Sequence, residues 1–206
     1  MTWYPIIAIG RQFGSGGREI GQRVAKDLAI PFYDRALVEM ASEKMGVDQF
    51  ELQRVDEKGL MGFLSTYQVP KQPNSVTGYG LTLNDSLYLT QCHIIEALAQ
   101  QGPCVVIGRT ASEVLKKNPK LIDIFICADK EDRVKRISEK YMIPERDAAK
   151  SIREVDRKRK YYFENYTDRT WGSPDSHQII LNVSLLGMDR TVELIKAIYL
   201  SGQETE

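Results

Sequence analysis

The chain has 206 residues, 42% of them hydrophobic, which excludes a disordered polymer and leaves room for one buried core. Lys+Arg and Asp+Glu both number 28, so no net charge favours nucleic acid or an acidic membrane, and any anion binding must come from local clustering. Three widely spaced cysteines, Cys92, Cys104 and Cys127, lack metal-type spacing and argue against a disulfide framework.

In chain order, Thr2 to Gly10 reads as a first strand, rich in Ile and bounded by glycine. The loop R-Q-F-G-S-G-G follows, then a helix from Arg18 to Leu28 with Ile20, Val24 and Leu28 at helical spacing. Strand, glycine loop and helix turn backbone N–H groups and a helix N-terminus toward a phosphate. The usual pattern for such a loop is G-x-x-x-x-G-K-S/T. Aligned on Gly16, the lysine position holds Gly17, the Ser/Thr position holds Arg18, and Arg11 stands where the first glycine belongs, beside Gly10.

Pro31-Phe32-Tyr33 reads as a brief extended piece, and Asp34 as the cap of a helix from Arg35 to Lys44. Asp48 and Glu51 form a capping box for a third helix. Residues 58–85 carry repeated glycines and prolines with little periodicity, which predicts a flexible insert: a surface loop or a flap that closes on substrate. Leu87, Ile94, Ile95 and Leu98 mark an amphipathic helix ending at Gly102. Cys104 to Ile107 reads as a buried parallel strand, broken by Gly108-Arg109-Thr110 into a short helix. Leu121 to Cys127 is a further strand, and Asp129 caps a helix to about Tyr141. Residues 140–146 form a short, lid-like connection to a helix that opens at Pro144 and runs to about Tyr162. Gln178 to Val183 is the last strand and Met188 to Leu200 the last helix. Alternating strands and helices predict a single α/β domain over residues 1–206, its parallel sheet covered on both faces.

In an open parallel sheet, ligands bind beyond the carboxyl ends of the strands. Three groups fall there: the glycine loop, Tyr33-Asp34-Arg35, and Gly108-Arg109. A basic cluster lies later. Arg146, Lys150, Arg153, Arg157 and Lys160 follow one another at spacings of 4, 3, 4 and 3, one stripe of a helix, with Arg133 and Arg136 on the helix before. The stripe is either a solvated face braced by Glu145, Glu154 and Asp156 or an anion site suited to a transferring phosphoryl group. His93 and His177 have no nucleophile partner in a recognisable motif and read as structural or surface residues.

Taken in this order, the glycine loop, Y-D-R, V-V-I-G-R and the late arginine-rich helix resemble the cytidylate kinase family, most closely its cytidylate-kinase-like branch with G-R-Q-F-G-S-G-G-R-E-I-G as the loop. The resemblance implies a three-layer P-loop fold with a small helical lid. It implies phosphoryl transfer from ATP, with Mg²⁺, to a nucleoside monophosphate such as CMP or dCMP. The alternatives are a kinase of a non-nucleotide small molecule and a nucleotide-binding regulator without catalysis. The cysteine pattern, with no signal-like segment and no apolar run of membrane length, separately leads to the expectation of a reducing cytosol. On this resemblance Phe13, Gly14, Ser15, Gly16, Gly17, Arg18 and Glu19 cradle the donor phosphates, and Asp34, Arg35 and Arg109 face the acceptor. Arg136, Arg153 and Arg157 approach the transferred group, with Arg18 the expected replacement for the missing lysine. The metal ligands stay open among Ser15, Glu19, Asp34 and water. Nucleic acid and membrane are not expected partners, and the oligomeric state is not legible.

Overall fold

The computed structural model describes residues 4–34, 40 and 83–202. Two compact units divide the chain, one holding everything through Tyr33 and from Leu98 onward, the other Asp34–Ala97. The helix expected from Arg35 to Lys44, the helix after Asp48 and nearly all of the 58–85 insert lie outside the described residues.

The first unit is built on a parallel sheet in the order β2-β3-β1-β4-β5. Its strands are β1 (Ile6–Arg11), β2 (Phe32–Tyr33), β3 (Cys104–Ile107), β4 (Leu121–Cys127) and β5 (Ile179–Asn182). In chain order the described helices are α1 (Gly17–Asp27), α2 (Leu83–Gln101, which belongs to the second unit as far as Ala97), α3 (Ala111–Val114), α4 (Lys130–Tyr141), α5 (Glu145–Tyr166), α6 (Val183–Leu186) and α7 (Met188–Ser201). β1 lies at the centre, Ile6 to Ile9 opposite Cys104 to Ile107 on one side and Ile6 to Arg11 opposite Leu121 to Ile126 on the other. Ile6, Ile7, Ala8 and Ile9 are all buried, so both faces of the strand are covered, which is why its apolar run is continuous rather than alternating.

Side chains alternate across the sheet. Ile7, Ile9, Val105, Ile107, Ile124 and Ile126 meet Ile20 and Val24 of α1 and Val192, Ile195 and Tyr199 of α7 in one core. The helical residues fall three or four apart, as a stripe facing a sheet requires. Phe125 lies on the opposite face, its ring 5.1 Å edge-on from Trp171 and 4.9 Å from His177. The same face buries a polar cluster. His177 Nδ1 lies 3.0 and 3.2 Å from the two oxygens of Asp123, and Arg169 Nη2 donates to that carboxylate at 3.3 Å while its Nη1 lies 3.5 Å from Glu113. This pairing satisfies a carboxylate that is only 4% exposed. His177 is thus a structural histidine.

Three local expectations are corrected. Leu83 to Asp85, read as part of the insert, form the first turn of α2. β1 reaches one residue further, to Arg11, because Gln12 N–H still bonds Ile126 O at 3.0 Å. Asp129 sits at the N-cap of α4 without capping it; its carboxylate accepts from Asn182 Nδ2 at 3.0 Å instead. Asp129 N–H meanwhile donates to Ser184 Oγ at 2.9 Å.

Burial pushes the Cys104 thiol up from its ordinary 9.0 to about 12. The folded state therefore keeps this group neutral where the unfolded chain would ionise. Its stabilising contribution is full below pH 9.0 and is lost as pH rises toward about 12. Denaturation measured at pH 8 and pH 10.5 is expected to show a fall in stability that is smaller in Cys104→Ala; equal falls would contradict the assignment.

Candidate phosphate-binding site

β1 stands where the strand order of the parallel sheet reverses, with β3 on one side and β4 on the other, the position where open α/β sheets bind ligands. The loop that leaves it turns through Gly14 at φ +81° and Gly16 at φ +86° before α1 begins at Gly17. Glycine adopts this left-handed backbone without the Cβ penalty. The result is a short concave run of backbone ahead of a helix N-terminus, an arrangement suited to phosphate.

The loop is braced from within and from above. Ser15 is fully buried; its Oγ donates to Gln12 O at 2.9 Å and accepts from Gly17 N–H at 3.4 Å. Phe13 is gripped on both sides of its backbone. Its N–H donates to Asp156 Oδ1 at 2.7 Å, and its carbonyl accepts from Arg133 Nη1 at 3.2 Å. The same Nη1 lies 2.5 Å from Asp156 Oδ2, and both side chains are largely buried, 11% and 16% exposed. Arg159 donates to Arg11 O at 3.2 Å and lies 5.6 Å from the centre of the Phe13 ring. The α4–α5 pair is thereby tied to the loop by charge-assisted hydrogen bonds.

Arg136 comes from α4 to the same place. A Cβ placed on Gly16 would lie 3.0 Å from Arg136 Nη1 and 2.7 Å from the Met188 sulfur, and Nη1 donates to that sulfur at 3.4 Å. Beside the loop opens a cavity of about 350 Å³ lined by Gly14, Ala128, Asp132, Arg136, Val183 and Ser184, among others.

Of the other expected residues, Arg18 and Glu19 are exposed on the first turn of α1. Arg109 lies just past β3 in a run of three left-handed residues, Gly108, Arg109 and Thr110, at φ +70°, +58° and +51°. Such backbone is costly for Arg and more so for β-branched Thr, and it concentrates at functional sites. Asp34 begins the second unit and Arg35 lies outside the described residues.

Arg153 and Arg157, with Arg146, Lys150 and Lys160, form the exposed stripe of α5, because Ala148, Ser151, Ile152 and Val155 turn the other side inward. Asp156 and Arg159 are the α5 residues that reach the loop. Asp156 therefore does more than brace a solvated face. Arg159 was not anticipated, although its place three and four residues beyond Asp156 and Val155 puts it on the inward stripe.

Magnesium finds little here. Position 18 is an arginine, and the Ser15 hydroxyl is spent inside the loop. Among the described residues no group of three His, Cys, Asp or Glu could hold a metal ion. The usual hydroxyl ligand is lacking, and no step is derived through a metal ion. Among the same residues no helix is long and apolar enough to cross a membrane.

A family model described as the cytidylate kinase-like family matches residues 6–185. No curated protein matches the chain significantly. Among solved structures, an uncharacterized protein from Eubacterium ventriosum is similar with a TM-score of 0.72 and 25% identity, covering 96% of this chain and 99% of its own. Shikimate kinase from Acinetobacter baumannii, solved with shikimate, is similar in fold at a TM-score of 0.50 and 13% identity, over 96% of this chain and 94% of its own.

Proposed function

The chain belongs to the cytidylate kinase-like family, and on that premise we propose that it is an ATP-dependent kinase whose acceptor is a nucleoside monophosphate, CMP or dCMP foremost. One observation carries the reading: the glycine loop and the 350 Å³ cavity are contiguous, since Gly14 belongs to both and Arg136, which lines the cavity, reaches Gly16 of the loop. A triphosphate laid along the loop leaves its nucleoside beside α4 and the start of α6. The volume is in the range of small-molecule pockets.

The chemistry asks little of the protein beyond placement and charge. An acceptor phosphate oxygen, already anionic at neutral pH, attacks the γ-phosphorus. A new P–O bond forms as the bond to the β–γ bridging oxygen breaks, and the electron pair leaves with ADP. No proton has to be removed, which agrees with a site that offers no histidine base. The loop N–H groups and Arg136 hold the donor, and Arg109, Asp34 and Arg35 are assigned to the acceptor.

A coupled assay of ADP release over CMP, dCMP, the other monophosphates and a panel of small alcohols tests the reading, together with calorimetric ATP binding. The expected result is turnover highest with CMP or dCMP. Turnover with alcohols alone would select a non-nucleotide acceptor, and ATP binding with no transfer would select a regulator. No ATP binding at all would overturn the reading.

A further inference from the structure

Two departures from the usual phosphate-loop pattern, Arg11 for the first glycine and Gly17 for the lysine, touch one another in the folded protein. A Cβ placed on Gly17 would lie 2.8 Å from Arg11 Cβ and 3.3 Å from Arg11 Cγ. Real Cβ atoms do not approach that closely, so the stem of Arg11 occupies the space from which a lysine at position 17 would rise. A glycine at 17 is what leaves room for a side chain at 11. The pair reads as one compensated exchange, the cation moved from the start of α1 to the end of β1.

The far end of the side chain is equally defined. Arg11 Nη1 lies 2.1 Å from where a Cβ on Gly108 would be, so the guanidinium rests against the backbone just past β3. β1 and β3 are neighbours in the sheet, and the group therefore lies across the carboxyl ends of both. Its own backbone is held by the ladder to Ile126 and by the Arg159 hydrogen bond to Arg11 O. Arg18, by contrast, is exposed on the first turn of α1.

We propose that Arg11, rather than Arg18, is the cation that stands in for the phosphate-loop lysine. This rests on the kinase reading above. As the bond to the β–γ bridging oxygen breaks, negative charge gathers on the β-phosphate, and a guanidinium already placed across the carboxyl ends of β1 and β3 stabilises that charge without reorganising.

The test compares wild type, Arg11→Met, Arg18→Met and the double variant Arg11→Gly/Gly17→Lys, which restores the glycine and the lysine of the usual pattern. Binding of ATP, inorganic tripolyphosphate and adenosine is measured by calorimetry. Arg11→Met is expected to weaken ATP and tripolyphosphate by about 10- to 100-fold, the worth of one charged hydrogen-bond partner. Adenosine is expected to bind as before, which a merely structural role would not produce. The folded double variant is expected to regain most of the lost affinity, and it carries the test if Arg11→Met does not fold. Wild-type ATP affinity in Arg11→Met, a loss shared equally by adenosine, or a folded double variant without recovery would each overturn the assignment. A large loss in Arg18→Met with none in Arg11→Met would do the same. Failure of wild type to bind ATP or tripolyphosphate is a separate outcome that removes the kinase reading and this assignment together.

Discussion

Asp156→Ala is expected to lower the unfolding free energy by about 3–5 kcal/mol, the cost of leaving one member of a buried pair unpaired. Asp156 is 16% exposed and faces Arg133, 11% exposed, at 2.5 Å. Its other oxygen accepts the Phe13 N–H at 2.7 Å. Truncation therefore strips a buried guanidinium of its counter-charge and leaves a loop N–H unpaired at once. Arg133 has little slack, since its Nε already lies buried without a hydrogen-bond partner. Asp156→Asn keeps an oxygen for Phe13 and is expected to lose less. Replacing both Asp156 and Arg133 by apolar residues should cost less than the sum of the single changes, because neither then strands the other. Urea denaturation checks the ordering, with ATP affinity read in parallel since Phe13 opens the loop. A loss under about 1 kcal/mol for Asp156→Ala would mean that the pair is screened like a surface one and does not hold the loop.

The second large effect is on binding. Gly16→Val is expected to weaken ATP by about 100-fold or more while leaving the protein folded. Gly16 sits at φ +86°, where a β-branched residue carries about 1–3 kcal/mol of strain. Relief of that strain means abandoning the turn that sets the loop N–H groups toward a ligand. The new side chain also enters space held by Arg136 Nη1 and the Met188 sulfur, 3.0 and 2.7 Å from its Cβ. Both are ends of flexible side chains and can withdraw, but Arg136 then leaves the loop. Each 1.4 kcal/mol is tenfold in affinity, so strain and displacement together reach the stated factor. Calorimetry with a melting curve on the same sample separates lost binding from lost fold. Wild-type ATP affinity in a folded Gly16→Val would remove the loop from the donor site.

The sheet and its covering helices were legible because they depend on short-range patterns. Ile6 to Ile9 and Cys104 to Ile107 are continuous apolar runs, Leu121 to Cys127 is apolar apart from Asp123, and the helices repeat apolar residues every three or four positions. The turning of the loop at Gly14 and Gly16 was legible for the same reason, since few residues other than glycine enter left-handed backbone freely. The late basic stripe was legible as a stripe, but periodicity does not say which side of a helix turns inward when charges lie on both. Ala148, Ile152 and Val155 decided it, and they carried Asp156 and Arg159 to the loop while leaving Arg153 and Arg157 in solvent.

The amino-acid sequence by itself determined an α/β chain with a glycine loop after its first strand, because local backbone preference and hydrophobic spacing act over only a few residues. It also showed that the lysine and the hydroxyl of the usual loop are missing. Only the tertiary structure decided what surrounds that loop. Phe13 meets Asp156 across 143 positions and Arg133 across 120, contacts that exist only once β4, α4 and α5 are packed. Arg11 and Gly17 are six positions apart, yet no pattern in the chain says that they compete for one space. A strand that ends in Arg11 and a helix that starts at Gly17 are brought face to face by the turn between them, and there the side chain of one stands where the other has none.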